Sequence, residues 1–219
     1  MKESWQNLID LVVKPSATFE RLKSNPKWVV AFVLFFLLSI GLTWANSPFI
    51  ERLMSLLQPD VAATISFKSY VVKGSIVVVF WCIILSSVFT FAARVFKINP
   101  ALKFKHIFAA IVHTSLIGTL IYLVNIGLFP LFRQLEDINR PIDMKLIPGL
   151  HMLAGSMENA HILTFLSHIN PLSVWYIAIL TIAVAILAEV SRVKACFTAL
   201  TIFLIRIGTE ILFFNLTFY

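Results

Sequence analysis

The first long apolar run of the chain, WVVAFVLFFLLSIGLTW from Trp28 to Trp44, decides the class of fold. It contains no charged residue, and a tryptophan stands at each of its ends. A membrane-spanning helix needs about 20 predominantly apolar residues, and tryptophans concentrate at the two lipid–water interfaces. The run therefore predicts a transmembrane helix, whose bounds we place at residues 28–46.

Four more apolar runs have the length of a membrane span. We place them at residues 70–93, 106–129, 171–190 and 195–216. The last run contains Arg206 and Glu210, so a re-entrant or peripheral helix is an alternative for it. Because these two charges are four residues apart and can pair on one helix face, we favour a full span. The pattern predicts an all-α polytopic membrane protein with a five-helix transmembrane bundle over residues 28–219.

The overall composition agrees with a membrane protein. Of the 219 residues 59% are hydrophobic and 13% are charged, and the mean hydropathy is +0.89. A soluble domain cannot bury that much apolar surface. The net charge of +7 would suggest a nucleic-acid partner in a soluble protein, but the basic residues fall mostly between the apolar runs. They predict contact with anionic membrane lipid, and we expect no nucleic-acid partner.

The distribution of lysine and arginine predicts how the chain crosses the membrane. Eleven of these residues lie in the amino-terminal segment and in the second and fourth connections, against five in the other connections. Basic residues are enriched in the cytoplasmic connections of membrane proteins. We therefore expect a multi-pass protein with its N-terminus in the cytoplasm, its C-terminus outside, and an external loop at residues 130–170.

Residues 1–27 predict two amphipathic helices at the cytoplasmic interface, with a solvated tail as the alternative. The first helix carries an apolar stripe formed by Trp5, Leu8, Ile9 and Val12. Pro15 breaks this helix and suits the first turn of a second one, so the two helices meet in an elbow. We expect Phe19 and Leu22 to hold the second helix on the membrane surface or on a partner. Pro26 and Trp28 then set the start of the first span.

The two external connections contain further patterns. Residues 47–59 repeat apolar residues at helical spacing, which predicts a separate short amphipathic helix on the outer interface. The loop at 130–170 is long and becomes apolar near its end, which predicts helical turns rather than free coil. Its candidate metal ligands are His151, Glu158, His161 and His168. Their spacing matches no recognised ligand pattern, so we expect no metal and no cofactor.

Two sets of residues inside the predicted spans are candidates for a role. Arg206 and Glu210 would be costly in hydrocarbon if unpaired, so we expect an ion pair between them. Lys73 and Asn125 are possible further partners. The pair either fixes how the helices dock or belongs to a polar path through the bundle. Small residues also recur every four positions in the third span and predict a seam for close helix packing. They are Ala110, Thr114 and Gly118.

The stretch LIDLVVKPSATFERLKSNPKW, residues 8–28, resembles the amino-terminal signature of bacterial members of the Yip family, the Ypt/Rab-interacting-protein-like integral membrane proteins. The positions that match are Pro15, Thr18, Phe19 and Pro26. KFKHIFAAIVHTSLIGTLIYLV and FLSHINPLSVWYIAIL resemble the third span of that family and the entry to its fourth. The resemblance implies five spans, a cytosolic N-terminus and a place in the bacterial cytoplasmic membrane. The acidic motif of eukaryotic members is absent, so no small-GTPase role is implied.

Two functions stay open from the sequence. Some bacterial members of the Yip family resemble accessory partners of ABC-type exporters, which implies a non-enzymatic accessory or scaffold protein that binds another membrane protein or itself. The alternative is a small-solute or proton-coupled transporter that uses Arg206 and Glu210. We expect no enzymatic activity, because the chain contains no nucleophile elbow, no HExxH pair and no glycine-rich phosphate loop.

Overall fold

The computed structural model describes residues 2–57, 67–95, 102–155, 157 and 159–218, and this part of the chain contains helices and no strand. The α-helices are α1 (Lys2–Val13), α2 (Pro15–Ser24), α3 (Val29–Leu57), α4 (Phe67–Val95), α5 (Phe104–Phe132), α6 (Ala160–Ser167), α7 (Pro171–Ala188) and α8 (Arg192–Phe218). Three short 3₁₀ turns between α5 and α6 are Leu135–Asp137, Pro141–Met144 and Leu150–Leu153. The prediction of an all-α membrane protein is confirmed.

Three of the described helices are long and apolar enough to cross a membrane. They are α3 over Val29–Leu56, α5 over Phe104–Phe132 and α7 over Pro171–Ala188, which correspond to the first, third and fourth predicted spans. α4 and α8 contain 29 and 27 residues. At about 1.5 Å per residue, each is longer than the hydrocarbon layer, which is about 30 Å thick. That α4 and α8 also cross the membrane, and with it the count of five spans, stays a prediction.

α3 extends beyond the first predicted span, so the separate helix predicted at 47–59 is wrong. The helix continues through Pro48 to Leu57, and residues 58–59 lie outside the described residues. A proline inside a helix offers no N–H to the carbonyl four residues earlier, here that of Trp44. The Ser47 hydroxyl donates a hydrogen bond of 2.7 Å to this carbonyl and replaces the missing donor. Leu53 holds the extension in place, since it is fully buried in a small cluster with residues of α5 and the following connection.

The main hydrophobic core lies where α2, α3, α5, α7 and α8 meet. α7 packs along α8 and against α2, while α3 packs against α4 and α5. Aromatic rings fix the start of α3 on α5, because Trp28 meets Phe108 edge to face with ring centroids 5.1 Å apart. α4 packs mainly on α3 and α5, and the space between α4 and α8 contains two cavities.

The amino-terminal helices meet in the predicted elbow. α1 ends at Val13, Lys14 has a non-helical backbone with a φ of −138°, and α2 begins at Pro15. Phe19 and Leu22 are both 0% exposed and belong to the main core. Their predicted position on the membrane surface is therefore wrong, because α2 uses them to pack on the bundle through α7 and α5. We call this end of the bundle the elbow end.

The connection between α5 and α6 packs on the opposite end of the bundle, which we call the loop end. The Asn125 side chain in α5 fixes this connection, since Nδ2 donates to Met144 O at 2.6 Å and Oδ1 accepts from Leu146 N at 2.7 Å. Asn125 was named as a possible further partner of Arg206 and Glu210, and its amide binds the backbone of the connection. The side chain of Lys73 lies outside the described residues. The prediction of helical turns in this loop is confirmed.

Candidate functional site

Arg206 lies in the interior of α8 and reaches towards α5 and α7. It follows the first residue of α8 by four turns, which corresponds to about 21 Å along the helix. Its guanidinium carbon lies 5.2 Å from the ring centroid of Tyr176 on α7. An arginine at this distance from a tyrosine ring gains a cation–π attraction, which strengthens where water is excluded. The positive charge is thus placed against an aromatic ring inside the bundle.

Gly118 of α5 makes room for the same guanidinium. A Cβ atom at this position would lie 2.9 Å from Nη1 and 3.1 Å from Nη2 of Arg206, which is closer than ordinary contact. The seam of small residues was predicted to let a neighbouring helix backbone approach α5. At Gly118 the missing side chain instead leaves space for the guanidinium of Arg206. Ala110 and Thr114 are buried on the same helix and border a cavity.

Glu210 lies one helical turn after Arg206 in α8. Its side chain lies outside the described residues, so the predicted ion pair between these two residues stays a prediction. Its position on the backbone is compatible with a pair, since residues four apart share a helix face.

Three adjoining cavities surround Tyr176, which lines all of them. The loop cavity has a volume of about 60 Å³ and lies beneath the connection between α5 and α6. The central cavity has about 430 Å³ and the apolar cavity about 570 Å³, and both lie between α4 and α8. Arg206 and Tyr122 line both the loop cavity and the central cavity. The central and apolar cavities share four lining residues, which are Leu85, Ser115, Tyr176 and Ile202.

The loop cavity contains a second cation placed on a second tyrosine. Nζ of Lys145 lies 5.5 Å from the ring centroid of Tyr122. Asn170 also lines the loop cavity. Its side chain caps α7, because Oδ1 accepts a hydrogen bond of 2.9 Å from Ser173 N. The site therefore brings Lys145 from the connection and Arg206 from α8 to one cavity, each over an aromatic ring.

The central cavity is bordered by several hydroxyl groups, which belong to Ser39 and Thr43 of α3, Thr119 of α5 and Thr209 of α8. Each of these hydroxyls donates to a carbonyl of its own helix at 2.7–3.0 Å. Arg206 adds a guanidinium with five N–H donors to the wall of this cavity. The cavity is thus the polar part of an otherwise apolar interior.

A second candidate surface lies at the elbow end, where polar side chains clamp α1 onto α2. Arg21 Nη2 lies 2.7 Å from Asp10 Oδ2, and Arg21 Nε donates to Asn7 Oδ1 at 2.7 Å. Asn7 is fully buried. Lys27 pairs with Glu3 and so ties α1 to the chain just before α3. These contacts hold α1 on α2, while Phe19 and Leu22 join α2 to the main core.

A further ion pair joins the elbow to the end of α7. Lys23 Nζ lies 2.9 Å from Glu189 Oε1, and this hydrogen bond raises the pKa of Lys23. Glu189 follows the last residue of α7 with a left-handed backbone, at a φ of 56°. Lys23 is partly exposed and Glu189 is exposed, so water screens the pair and it contributes little to stability.

The outward face of α1 is apolar, although its inward face is partly polar. Trp5 is 54% exposed and Ile9 is 67% exposed, and Val12 and Val13 are exposed beside them. We call these four residues the outer strip. Leu8, which was predicted in the same stripe, instead contacts the main core. The buried positions of α1 are Ser4, Asn7 and Leu11.

Three residues that shape the interior site were not predicted from the sequence, namely Tyr122, Lys145 and Tyr176. The two tyrosines stand inside apolar runs, where a phenolic hydroxyl needs a polar partner. That chemical mismatch could have marked them as site residues. Lys145 could not be placed, because its position depends on how the connection folds back over α5. Among the described residues, no group of three or more His, Cys, Asp and Glu side chains is arranged to hold a metal ion.

Comparison with known protein families identifies the family of the chain. The profile of the Yip1 domain matches residues 9–209, which include the elbow, the helices α3 to α7 and the part of α8 that contains Arg206. Neither the curated proteins nor the solved structures contain a match to the chain. Because the matched residues cover most of the chain, the protein belongs to the Yip1-domain family of membrane proteins.

Proposed function

We propose that the protein is a non-enzymatic accessory or scaffold protein of the bacterial cytoplasmic membrane. In this role it binds another membrane protein, such as an ABC-type exporter, or a second copy of itself. The observation that carries the proposal is the outer strip of α1, a helix that Arg21 clamps onto α2. The family is not known for an enzymatic activity, which is consistent with this role.

A clamped segment suits protein binding better than a free tail does. A flexible tail loses conformational freedom when it binds, and that loss weakens the complex. Here Phe19 and Leu22 anchor α2 in the core, and Arg21 joins α1 to α2, so the outer strip is already ordered. A row of exposed apolar side chains on an ordered helix marks a contact with protein or with lipid.

Site-specific photo-crosslinking can separate these two contacts. A photoreactive residue is placed at Ile9, in the outer strip, and in a matched control at Glu20, which is exposed on α2. After irradiation in native membranes, the proposal expects Ile9 to form an adduct with an integral membrane protein and Glu20 to form none. Reciprocal purification of the identified protein should recover this chain. Adducts with lipid alone at Ile9 would contradict the proposed role of this surface.

A second candidate function, a small-solute or proton-coupled transporter that uses Arg206 and Glu210, is favoured by one observation. The three cavities adjoin one another through shared lining residues, and Arg206 lines two of them. The test is proton flux into liposomes that contain the purified protein, followed with an enclosed pH-sensitive dye under an imposed pH gradient. A transporter predicts flux that Glu210→Gln abolishes. Equal flux with empty liposomes would rule out a proton path.

A further inference from the structure

We propose that α6 and the 3₁₀ turn Leu150–Leu153 form a lipid-binding surface that dips into the membrane leaflet at the loop end. This part of the chain between α5 and α7 then lies among the lipid head groups and the first carbons of the acyl chains rather than in water. Such an element is compatible with a scaffold and with a transporter, so it stands apart from the accessory role.

The two halves of the chain between α5 and α7 expose different side chains. The first half, residues 133–145, exposes polar and charged groups, as at Glu136, Asn139 and Arg140. In the second half, the turn Leu150–Leu153 packs on α6, and both expose large apolar side chains. These are Met152, Leu153, Ile162 and Phe165, which we call the loop patch, and Leu153 is 82% exposed. An exposed apolar patch on an ordered element marks a contact with protein or with a membrane.

The helix α6 is apolar on both of its faces. Leu163 is buried on the inward face, while Ile162 and Phe165 are exposed on the outward face. A helix on the surface of a soluble domain turns polar residues outward, and a helix that is apolar all round lies in an apolar medium. Asn159 and His161 at the start of α6 are exposed and polar, which suits contact with head groups. The two faces together favour a position at the boundary between head groups and acyl chains.

The low charge of this segment favours lipid over protein as its partner. Between Lys145 and Glu189 the sequence contains one charged residue, Glu158, and no lysine or arginine. This stretch includes α6 and the whole of α7, which is long and apolar enough to cross a membrane. A protein-binding surface usually has a polar rim around its apolar centre. Here the composition of the span continues into the segment that precedes it, as expected for a segment that shares the span's surroundings.

The length of α7 places α6 at the edge of the hydrocarbon layer. α7 has 18 residues and is therefore about 27 Å long, whereas the hydrocarbon layer is about 30 Å thick. Directly after α7, the exposed charges of Glu189 and Arg192 suit the head groups at the elbow end. The start of α7 at Pro171 then reaches only the opposite edge of the hydrocarbon. Because α6 ends three residues before α7 begins, α6 lies next to this edge.

The end of α6 stays against the side of the bundle instead of extending away from it. α6 packs on α8, and the ring centroids of His168 and Phe203 lie 6.3 Å apart just after α6 ends. Phe203 is about three turns into α8, well inside the bundle, and the next residue, Leu204, is exposed and apolar. The turn is held at the same level, since Leu150 N donates to Ile169 O at 3.1 Å. Lipid that surrounds α8 can therefore reach the loop patch.

The test is fluorescence quenching of single-cysteine variants of the full chain in nanodiscs. Cys82→Ala and Cys196→Ala remove the native thiols, and Leu153→Cys or Phe165→Cys then carries a bimane label in the loop patch. Asn139→Cys, at an exposed position of the polar half, is the matched control. Phosphatidylcholine with brominated acyl chains should quench both loop-patch labels about twofold or more above the control, because an interfacial element lies about 5–10 Å into the boundary. Iodide in the water should quench in the reverse order.

A charged variant tests the same surface without a label. Leu153→Glu brings a carboxylate to the lipid, which is costly there, so the turn should leave the leaflet. Hydrogen exchange of residues 150–167 in nanodiscs should then become about tenfold faster or more. Asn139→Glu places the same charge in the polar half and should leave this exchange unchanged. Size-exclusion chromatography checks that each variant is folded.

Four results would overturn the proposal. The first is equal quenching by brominated lipid at the loop patch and at Asn139, and the second is stronger quenching of the loop patch by iodide than by lipid. The third is protection of the loop patch from both quenchers, which would show that a second copy of the chain covers it. The fourth is wild-type hydrogen exchange in Leu153→Glu. Each of these results leaves the outer strip of α1 untested, so the accessory role stands or falls separately.

Discussion

The guanidinium of Arg206 lies 5.2 Å from the ring centroid of Tyr176, although the two residues belong to different helices. Tyr176 is 6% exposed, so the charge is held against a buried ring. This contact joins α7 to α8 through Tyr176, which lines all three cavities. It identifies Tyr176 as the partner through which the structural role of Arg206 can be tested.

Replacing Tyr176 by leucine should destabilise the bundle. The variant loses a cation–π contact worth about 0.5–2 kcal/mol, together with ring packing against Phe203. The measurement is the thermal unfolding midpoint in detergent. Tyr176→Phe keeps the ring and should remain close to wild type. If the leucine variant unfolds at the wild-type temperature, the ring does not support Arg206.

Replacing Gly118 by alanine should move the guanidinium of Arg206. The new Cβ would lie 2.9 Å from Nη1, and the flexible end of the arginine can shift to relieve the contact. The expected result is a weaker hold of Arg206 on Tyr176, seen as a lower thermal unfolding midpoint in detergent. Gly127→Ala in the same helix is the control, because its Cβ would meet nothing within 4 Å. It should be neutral or stabilising by about 0.5–1 kcal/mol. Equal behaviour of the two variants would contradict the role assigned to Gly118.

Replacing Arg21 by alanine should loosen α1 from the bundle. The change leaves Asp10 without its ion-pair partner and removes the donor to the fully buried Asn7. Loss of a partner by buried or partly buried polar groups costs about 1–3 kcal/mol. Hydrogen exchange of residues 2–13 should become faster in this variant. Lys23→Ala removes only the exposed pair with Glu189 and should leave the exchange of α1 nearly unchanged. Equal exchange in both variants would show that Arg21 is not the clamp.

Replacing Phe19 by alanine should destabilise the whole bundle rather than release one segment from lipid. Phe19 is fully buried in the main core, and truncation of such a residue costs about 3–5 kcal/mol. The thermal midpoint in detergent should fall markedly. Trp5→Ala removes an exposed aromatic residue of the outer strip and should change this midpoint little. If Phe19→Ala left the thermal midpoint unchanged and only increased protease access to α1 and α2, Phe19 would not stabilise the core of the bundle.

Acidification should loosen the connection at the loop end. Burial lowers the pKa of His151, so the folded state favours the neutral ring. The unfolded state binds this proton more readily, and stability is therefore lost as the pH falls through the unfolded pKa of about 6.5. Limited proteolysis of residues 133–159 should become faster between pH 7 and pH 5.

His151→Gln tests this assignment, because glutamine cannot take up the proton. In this variant the pH dependence of proteolysis should be smaller than in wild type. His161→Gln, at an exposed position of α6, is the control and should keep the wild-type dependence. A dependence that survives in His151→Gln would place the titrating group elsewhere.

The long helices and the elbow could be predicted from the sequence because their signals are local. The apolar run at 106–129 falls within α5, and the run at 171–190 begins with α7 and ends two residues after it. Pro15 stands at the start of α2, where its fixed backbone angle is favourable. The end of α3 could not be predicted in this way. Pro48 is a local signal for a break, whereas the burial of Leu53 depends on residues far along the chain.

The direction of apolar side chains was harder to predict than the helices that carry them. In a soluble protein an apolar stripe points inward, but lipid is as apolar as a protein core, so the stripe has no preferred direction here. This explains why Phe19 lies in the core while Trp5 and Ile9 face outward. The contact of Arg206 with Tyr176 was likewise hidden, because it depends on how α7 and α8 pack.

The hydrogen bond from Ser47 to Trp44 O has a mechanical consequence. A backbone N–H is held in place by the peptide plane, whereas a serine hydroxyl swings away by rotation about one side-chain bond. α3 is therefore easier to bend at Pro48 than elsewhere along its length. Bending there tilts the part of α3 that carries Leu53, together with the connection packed on it, while the part next to α5 at Trp28 stays still. The loop end can thus adjust its angle to the rest of the bundle without unwinding the helix.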